Sequence, residues 1–387
     1  MRILVVIPLM PGGGMTYAEF LTQQVKMRET RDRFFILRFG SPNPFWYNNP
    51  LQLVRNTLRA FSMIFQISYC NECQYSKIVI FCTSEVPYLL QAVLPLLKFR
   101  FMNVKLAIKI HSRVPLFGLR HLLKMFGWYG LAAYPLLKLF LVALNGYDVV
   151  LFPSKYGADK YVRSRILAMF RNKPRFVVSG GAIDFDYISR IQSFGSFDYD
   201  AVFASSKITR QDVDLILMLW RRVVDNNPTA RLLITGSFAG SLSQRLRVRS
   251  YLEGLLSKMD LSNHVQFYGS GMLPLKRDLF LSLLIPEKLF LYVSYDETWG
   301  MIIGEALSRG LIAITLDYPA IREVFGGCQA VFLCKSLEEM VKTTLLLLRL
   351  SSSYKKTLSE SAQRWVKNLS YEQLIDSELR ILRDLVD

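Results

Sequence analysis

Cysteine and histidine are scarce in this chain, and acids are scarce in its first half. The five cysteines (Cys70, Cys73, Cys82, Cys328 and Cys334) are odd in number and not spaced as a disulfide framework. Cys70 and Cys73 form a C-x-x-C pair, but no second cysteine pair or histidine cluster accompanies it. Structural thiols in a reducing cytoplasm are therefore expected rather than a zinc site. Long apolar runs are missing too. Within residues 113–147 the longest uncharged stretch, 125–137, has 13 residues, short of the roughly 20 that span a bilayer. Reading on to 144 gives the length, but Pro135 and two glycines interrupt it. The opening residues, MRILVVIPLMPGGGM, hold too short an apolar core for a signal peptide and read as a first buried strand.

What the chain does have is size and positive charge. Its 387 residues suit two domains with large cores. The net charge is +17, and its distribution is lopsided: residues 1–185 carry 24 Lys and Arg against 8 Asp and Glu, residues 186–387 carry 24 against 23. The first half is built to meet something anionic. No nucleic-acid-binding motif or aromatic-basic repeat is visible, so nucleic acid is not expected as a partner. Residues 113–147 are apolar and aromatic, with Arg113, Arg120, Lys124 and Lys138 and no acid. Such a stretch is expected at the headgroup boundary of an anionic membrane, a buried helix pair being the plainer alternative.

Apolar runs and helical patterns alternate along the whole chain, the mark of parallel α/β units. Strands are expected at 2–8, 34–39, 78–82, 104–110 and 148–152, and again at 201–205, 230–235, 265–268, 289–293, 311–316 and 330–333. Gly13 and Gly14 sit in a glycine-rich turn after the first strand, where backbone can approach a phosphate or sugar. His111 follows the strand ending at 110, at its carboxyl end. Gly269 follows the strand ending at 268, at its carboxyl end.

The most informative stretch is 289–323. A strand runs into a turn holding Glu297; a helix opens near Thr298 and carries Glu305; a second strand follows Gly310. Glu305 lies about two turns inside the helix, roughly 10 Å from its start. Between the acids, the backbone N–H groups of Trp299, Gly300 and Met301 point along the positive end of a helix dipole, an anion site. Acids at both ends of a phosphate-binding helix start suit a nucleotide-sugar, which carries hydroxyls on either side of a diphosphate. The same spacing also fits two solvated helix acids.

The pattern Glu297, two residues, Gly300, four residues, Glu305-Ala306, then Gly310 and Glu323 resembles the signature of the retaining family-4 glycosyltransferases. Trp299 stands where that family usually has Phe, and Pro319-Ala320-Ile321-Arg322 where it usually has Gly-Gly before the last Glu. The resemblance implies an α/β fold of two Rossmann-like doubly wound domains (GT-B) facing across a cleft. The domains implied are residues 1–185, a linker at 186–200, residues 201–369, and a terminal helix over 370–387 crossing back to the first domain. It also implies that Glu297 contacts the donor sugar, Glu305 the ribose, and His111 the sugar near the reacting carbon. The phosphate-binding Gly-Arg and Lys of the family are missing after residue 205, and the nearby cations Lys207 and Arg210 take that role by position. Gly13, Gly14 and Gly269 complete the donor site.

The function implied is transfer of a hexose-type sugar from a nucleotide-sugar to a membrane-associated acceptor, a lipid-linked glycan or polysaccharide, with the enzyme peripheral on the inner face of the membrane. No metal or other cofactor is expected. A nucleotide-sugar epimerase or phosphorylase on the same fold, or a non-catalytic membrane-surface subunit, are the alternatives.

Overall fold

The computed structural model describes residues 2–8, 21, 33–39, 50–69, 78–83, 88–101, 103–110, 116, 129–169, 173–194, 198–239, 242–272, 275–293 and 297–385. The chain forms two compact units: Met1–Ala182 with Tyr371–Asp387, and Ile183–Ser370.

The first unit is built on a parallel six-stranded sheet. Its strands are β1 (Arg2–Pro8), β2 (Arg33–Phe39), β3 (Ile78–Thr83), β4 (Val104–Lys109), β5 (Val149–Phe152) and β6 (Arg175–Val178), in spatial order β2-β1-β3-β4-β5-β6. Strand residues alternate between two cores, as a sheet covered on both faces requires. Leu4, Val6, Ile80 and Cys82 pack under α1 (Pro50–Tyr69), α2 (Tyr88–Val93) and α3 (Tyr129–Ala143). Ile3, Val5, Val79 and Phe81 pack on the other face, against Leu374, Ile375 and Leu379 of the C-terminal helix. A further helix, α4 (Lys155–Val162), is capped by Ser154, whose side chain accepts from the Gly157 N–H.

The stretch expected at a headgroup boundary is divided by the structure. Residues 113–115 and 117–128 lie outside the described residues, but α3 turns Leu137, Phe140 and Leu141 into the core and leaves Leu131, Leu139 and Val142 exposed. One face of the described helix is thus core. Among the described residues no helix is long and apolar enough to cross a membrane.

The second unit opens with α5 (Phe185–Arg190) and repeats the parallel plan. Its strands are β7 (Ala201–Ile208), β8 (Leu232–Phe238), β9 (Val265–Tyr268), β10 (Leu289–Tyr292), β11 (Ile312–Leu316) and β12 (Val331–Cys334), in order β12-β11-β10-β7-β8-β9. Every residue of β8, β10 and β11 is buried, the near-continuous apolar run of a two-sided parallel sheet. The helices are α6 (Arg210–Asn226), α7 (Leu242–Lys258), α8 (Arg277–Ser282), α9 (Met301–Ser308), α10 (Pro319–Phe325), α11 (Leu337–Leu348) and α12 (Ser352–Lys367). Helix α13 (Tyr371–Arg383) belongs to the first unit.

The stretch 186–200 is not free chain where it is described. Arg309, almost wholly buried, donates to the carbonyls of Ile188 (3.2 Å) and Leu284 (3.2 Å) and to Ser193 Oγ (2.7 Å). These bonds fasten its first half to the body of the second unit.

Candidate active site

In the second sheet the chain runs outward from β7 to β8 and β9, then returns to the other side of β7 with β10. The gap between the carboxyl ends of β7 and β10 is a topological switch point, where doubly wound sheets bind ligands. Lys207 lies in the last residues of β7 and Glu297 just beyond β10, so the fold places both backbone positions at this edge.

Two features shape the edge. Strand β7 shifts register against β8 between Ser205 and Ile208. Gly236, opposite the shift, has φ +126°, and a Cβ there would stand 1.9 Å from the Ser205 carbonyl oxygen, so only glycine permits this approach. The backbone of Ser206 and Lys207 is thereby displaced from regular pairing.

Glu297 is held through both oxygens. Tyr292 Oη donates to Oε2 at 2.7 Å, while the N–H groups of Thr298 (2.9 Å) and Trp299 (3.3 Å) donate to Oε1. The Trp299 N–H is therefore spoken for, and the anion-binding role expected of three N–H groups falls on Gly300 and Met301, whose N–H groups have no partner among the described residues. Gly300 is the N-cap of α9 at φ +89°. A Cβ there would meet Ile321 Cδ1 at 2.7 Å and Phe325 Cε2 at 3.0 Å. Trp299 is buried with its ring edge-on to Phe325, centroids 5.7 Å apart, which fixes the turn from below.

Glu305 is held differently. Its side chain is only 17% exposed, and Arg277 Nη2 of α8 reaches its Oε1 at 3.4 Å. Burial pushes its carboxyl above the ordinary range, and the Arg277 charge and hydrogen bond pull against that. The Arg277 guanidinium also lies over the Tyr187 ring, 5.1 Å from its centroid, and the Tyr187 hydroxyl donates to Asp278.

The remaining expected residues divide. Arg210 opens α6 behind a Thr209–Asp212 capping box, and its guanidinium stacks on the Tyr251 ring at 3.9 Å; Tyr251 in turn donates to Asp214 at 2.5 Å. Gly269 adopts φ +99° after β9, and the loop it opens is tied down by Arg249 Nη1 to the Ser270 carbonyl (2.8 Å) and by Phe238 N–H to the Gly271 carbonyl (2.8 Å). The side chain of Lys207, and Gly13, Gly14 and His111 altogether, lie outside the described residues.

The sequence also holds Asp-x-Asp spacings at 184/186, 198/200 and 212/214. Each serves local structure. Asp184 caps α5, Asp198 and Asp200 take the side chain and N–H of Arg231, and Asp212 caps α6. Among the described residues no three His, Cys, Asp or Glu side chains gather as a metal-binding group. Sequence reasoning missed Tyr292, Arg277 and Tyr187. Tyr292 carried a faint signal as the last strand residue before the acidic turn; the other two are brought in only by packing.

Residues 188–368 match the family model described as Glycosyl transferases group 1. No curated protein matches the chain. By fold it is similar to an alpha,alpha-trehalose-phosphate synthase (UDP-forming) from Burkholderia vietnamiensis, at 10% identity and TM-score 0.68 over 99% of this chain and 100% of that one. A glycosyltransferase from Rickettsia africae is 13% identical, with TM-score 0.65 over 100% and 98% of the two chains. An E. coli trehalose-6-phosphate structure bound with UDP-2-fluoro glucose is 10% identical, with TM-score 0.69 over 99% of each chain. At these identities the likeness is one of fold: α/β, with two parallel-sheet domains. The matched domain makes the chain an enzyme of the glycosyltransferase class.

Proposed function

We propose that the protein is a retaining glycosyltransferase that moves a hexose-type sugar from a nucleotide-sugar to a membrane-associated acceptor. The observation that carries the donor half is the pair of acids about the start of α9. Glu297 is fixed through both oxygens and Glu305 through one, and between them lie the N–H groups of Gly300 and Met301, which have no partner among the described residues. Two N–H donors at the positive end of a helix fit a diphosphate, and acids on either side fit sugar and ribose hydroxyls. The E. coli structure of the same fold holds a UDP-sugar analogue.

In the step proposed, the acceptor hydroxyl forms a bond to the anomeric carbon on the face from which the phosphate oxygen departs. The bond from that carbon to the phosphate oxygen breaks, and the departing oxygen takes the hydroxyl proton. Negative charge grows on the nucleoside diphosphate, and the Gly300 and Met301 N–H groups, the α9 dipole and nearby cations stabilise it. His111 and Glu297 would bind the sugar, and Lys207 and Arg210 the phosphates, once Arg210 leaves the Tyr251 ring.

Support for the acceptor half lies on α1. Val54, Leu58 and Met63 are exposed, Leu58 at 63%, and exposed Arg55 and Arg59 lie among them. The helix contains no acid. An apolar stripe flanked by arginines suits an anionic lipid surface. A soluble sugar-phosphate acceptor is the second reading, favoured by the trehalose-phosphate synthases of the same fold.

The deciding experiment incubates the protein with UDP-glucose and other nucleotide-sugars, with and without lipid-linked acceptors or glucose 6-phosphate. The expected result is acceptor-dependent release of nucleoside diphosphate that Glu297→Ala abolishes without unfolding the chain. Interconversion of sugars without acceptor would make the protein an epimerase instead, and an unchanged Glu297→Ala variant would remove the acid from the mechanism.

A further inference from the structure

Glu305 sits in α9, and α9 packs against α5, α12, β10 and β11. Burial on this scale favours the neutral carboxyl, which would donate rather than accept one hydrogen bond and would carry no charge. Arg277 opposes that. Its Nη2 reaches Oε1 at 3.4 Å, and Oε2 takes no partner among the described residues. The guanidinium is itself set in place, since one face lies on the Tyr187 ring and the Tyr187 hydroxyl is tied to Asp278, the residue after Arg277. Three groups from α5 and α8 thus hold a carboxylate on α9 by one oxygen.

We propose that Arg277 is a positioning residue for Glu305, holding one carboxylate oxygen so that the other accepts a ribose hydroxyl of the donor. The inference rests on the nucleotide-sugar reading above and adds to it the group that keeps the ribose-binding acid ionised and aimed. The other charges nearby do not substitute for it. Asp184, the N-cap of α5, feels Arg277 and the Asp186 and Arg190 charges of that helix. On α12, Lys367 lies over the Phe185 ring at 5.2 Å. Among the described groups Arg277 is the single charge that acts on Glu305.

The test uses the full chain with Arg277→Gln and Arg277→Lys, and reads two quantities. The first is the titration of Glu305 in the free protein by carboxyl carbon NMR, its signal assigned by loss in Glu305→Gln. The second is the binding of UDP and UDP-glucose, together with kcat for donor turnover. Removing the cation is expected to move the Glu305 titration to higher pH, to weaken UDP and UDP-glucose binding about tenfold, and to shift the acid limb of that binding to higher pH. The turnover of bound donor stays within about twofold. Lysine restores the titration toward the wild-type position.

A titration that does not move in Arg277→Gln overturns the proposal, as does unchanged UDP binding in a protein whose wild type binds UDP. A fall in kcat with unchanged binding also overturns it, because it would mean that Arg277 acts on the reacting atoms. If the titration moves but the wild type binds neither UDP nor UDP-glucose, the ribose role falls together with the nucleotide-sugar reading.

Discussion

Tyr292 and Glu297 are joined by a 2.7 Å hydrogen bond across the carboxyl end of β10. The last residue of the strand thereby aims the first acid of the turn, and the acid in turn takes the N–H groups of Thr298 and Trp299. Tyr292→Phe removes one of these holds. It should lower stability by about 1 kcal/mol and reduce sugar transfer by about tenfold. Urea unfolding and steady-state kinetics on the same preparation check the two effects.

Gly300→Ala should be costlier than an exposed glycine replacement. The position has φ +89°, and the added methyl meets Ile321 and Phe325 in the core. A loss of about 2–3 kcal/mol is expected from strain and overpacking. The variant should also lose nucleotide affinity, because the N–H groups that start α9 move with the residue. Thermal unfolding with and without UDP separates the two losses.

Glu305→Gln should stabilise the protein while weakening donor binding. Burial raises the Glu305 carboxyl above its ordinary range. The folded state therefore binds a proton more tightly than the unfolded state, and the carboxylate costs stability as pH rises through that range. At neutral pH the Gln variant should melt at higher temperature than wild type. The gap should close as pH falls below the ordinary carboxylate range, where both states of the wild type are protonated. Melting curves across the acid range decide it.

Lys109 and Glu378 form an ion pair buried in the first unit, Nζ to Oε1 at 2.5 Å, with both side chains essentially inaccessible. It ties β4 to α13. Lys109→Met leaves a buried carboxylate with its ion partner removed and should cost about 3–5 kcal/mol, whereas Lys109→Met with Glu378→Leu should recover much of that. Chemical denaturation of the single and double variants measures the difference.

Arg55→Glu with Arg59→Glu on α1 should abolish co-sedimentation with vesicles containing phosphatidylglycerol and leave turnover of a soluble acceptor within about twofold. Equal sedimentation of wild type and variant would remove α1 from lipid binding.

Much of the fold was legible in residue order. The apolar runs at 289–293 and 311–316 are β10 and β11 to within a residue or two, because a strand buried on both faces must be apolar throughout. The turn before α9 was less legible: the helix expected to open near Thr298 begins at Met301, because Gly300 takes a left-handed conformation ahead of it. Residues 125–144 were not legible in the same way. An apolar, aromatic segment satisfies a lipid boundary and a protein core equally, and only the burial of Leu137 and Phe140 shows that one face of its described helix is core. The Asp-x-Asp spacings likewise look alike in sequence, and the bonds to Thr209, Tyr187 and Arg231 give them their purposes.

By itself the sequence determined two parallel α/β units, a basic first half and an acid pair eight residues apart about a helix start, because periodicity, charge and local spacing are carried by neighbouring residues. Which cation serves which acid was decided by tertiary structure. Arg277 is 28 residues from Glu305, and Arg210 is drawn to Tyr251 on another helix. Pairings of that kind depend on where the strand order turns back, and no local pattern encodes it.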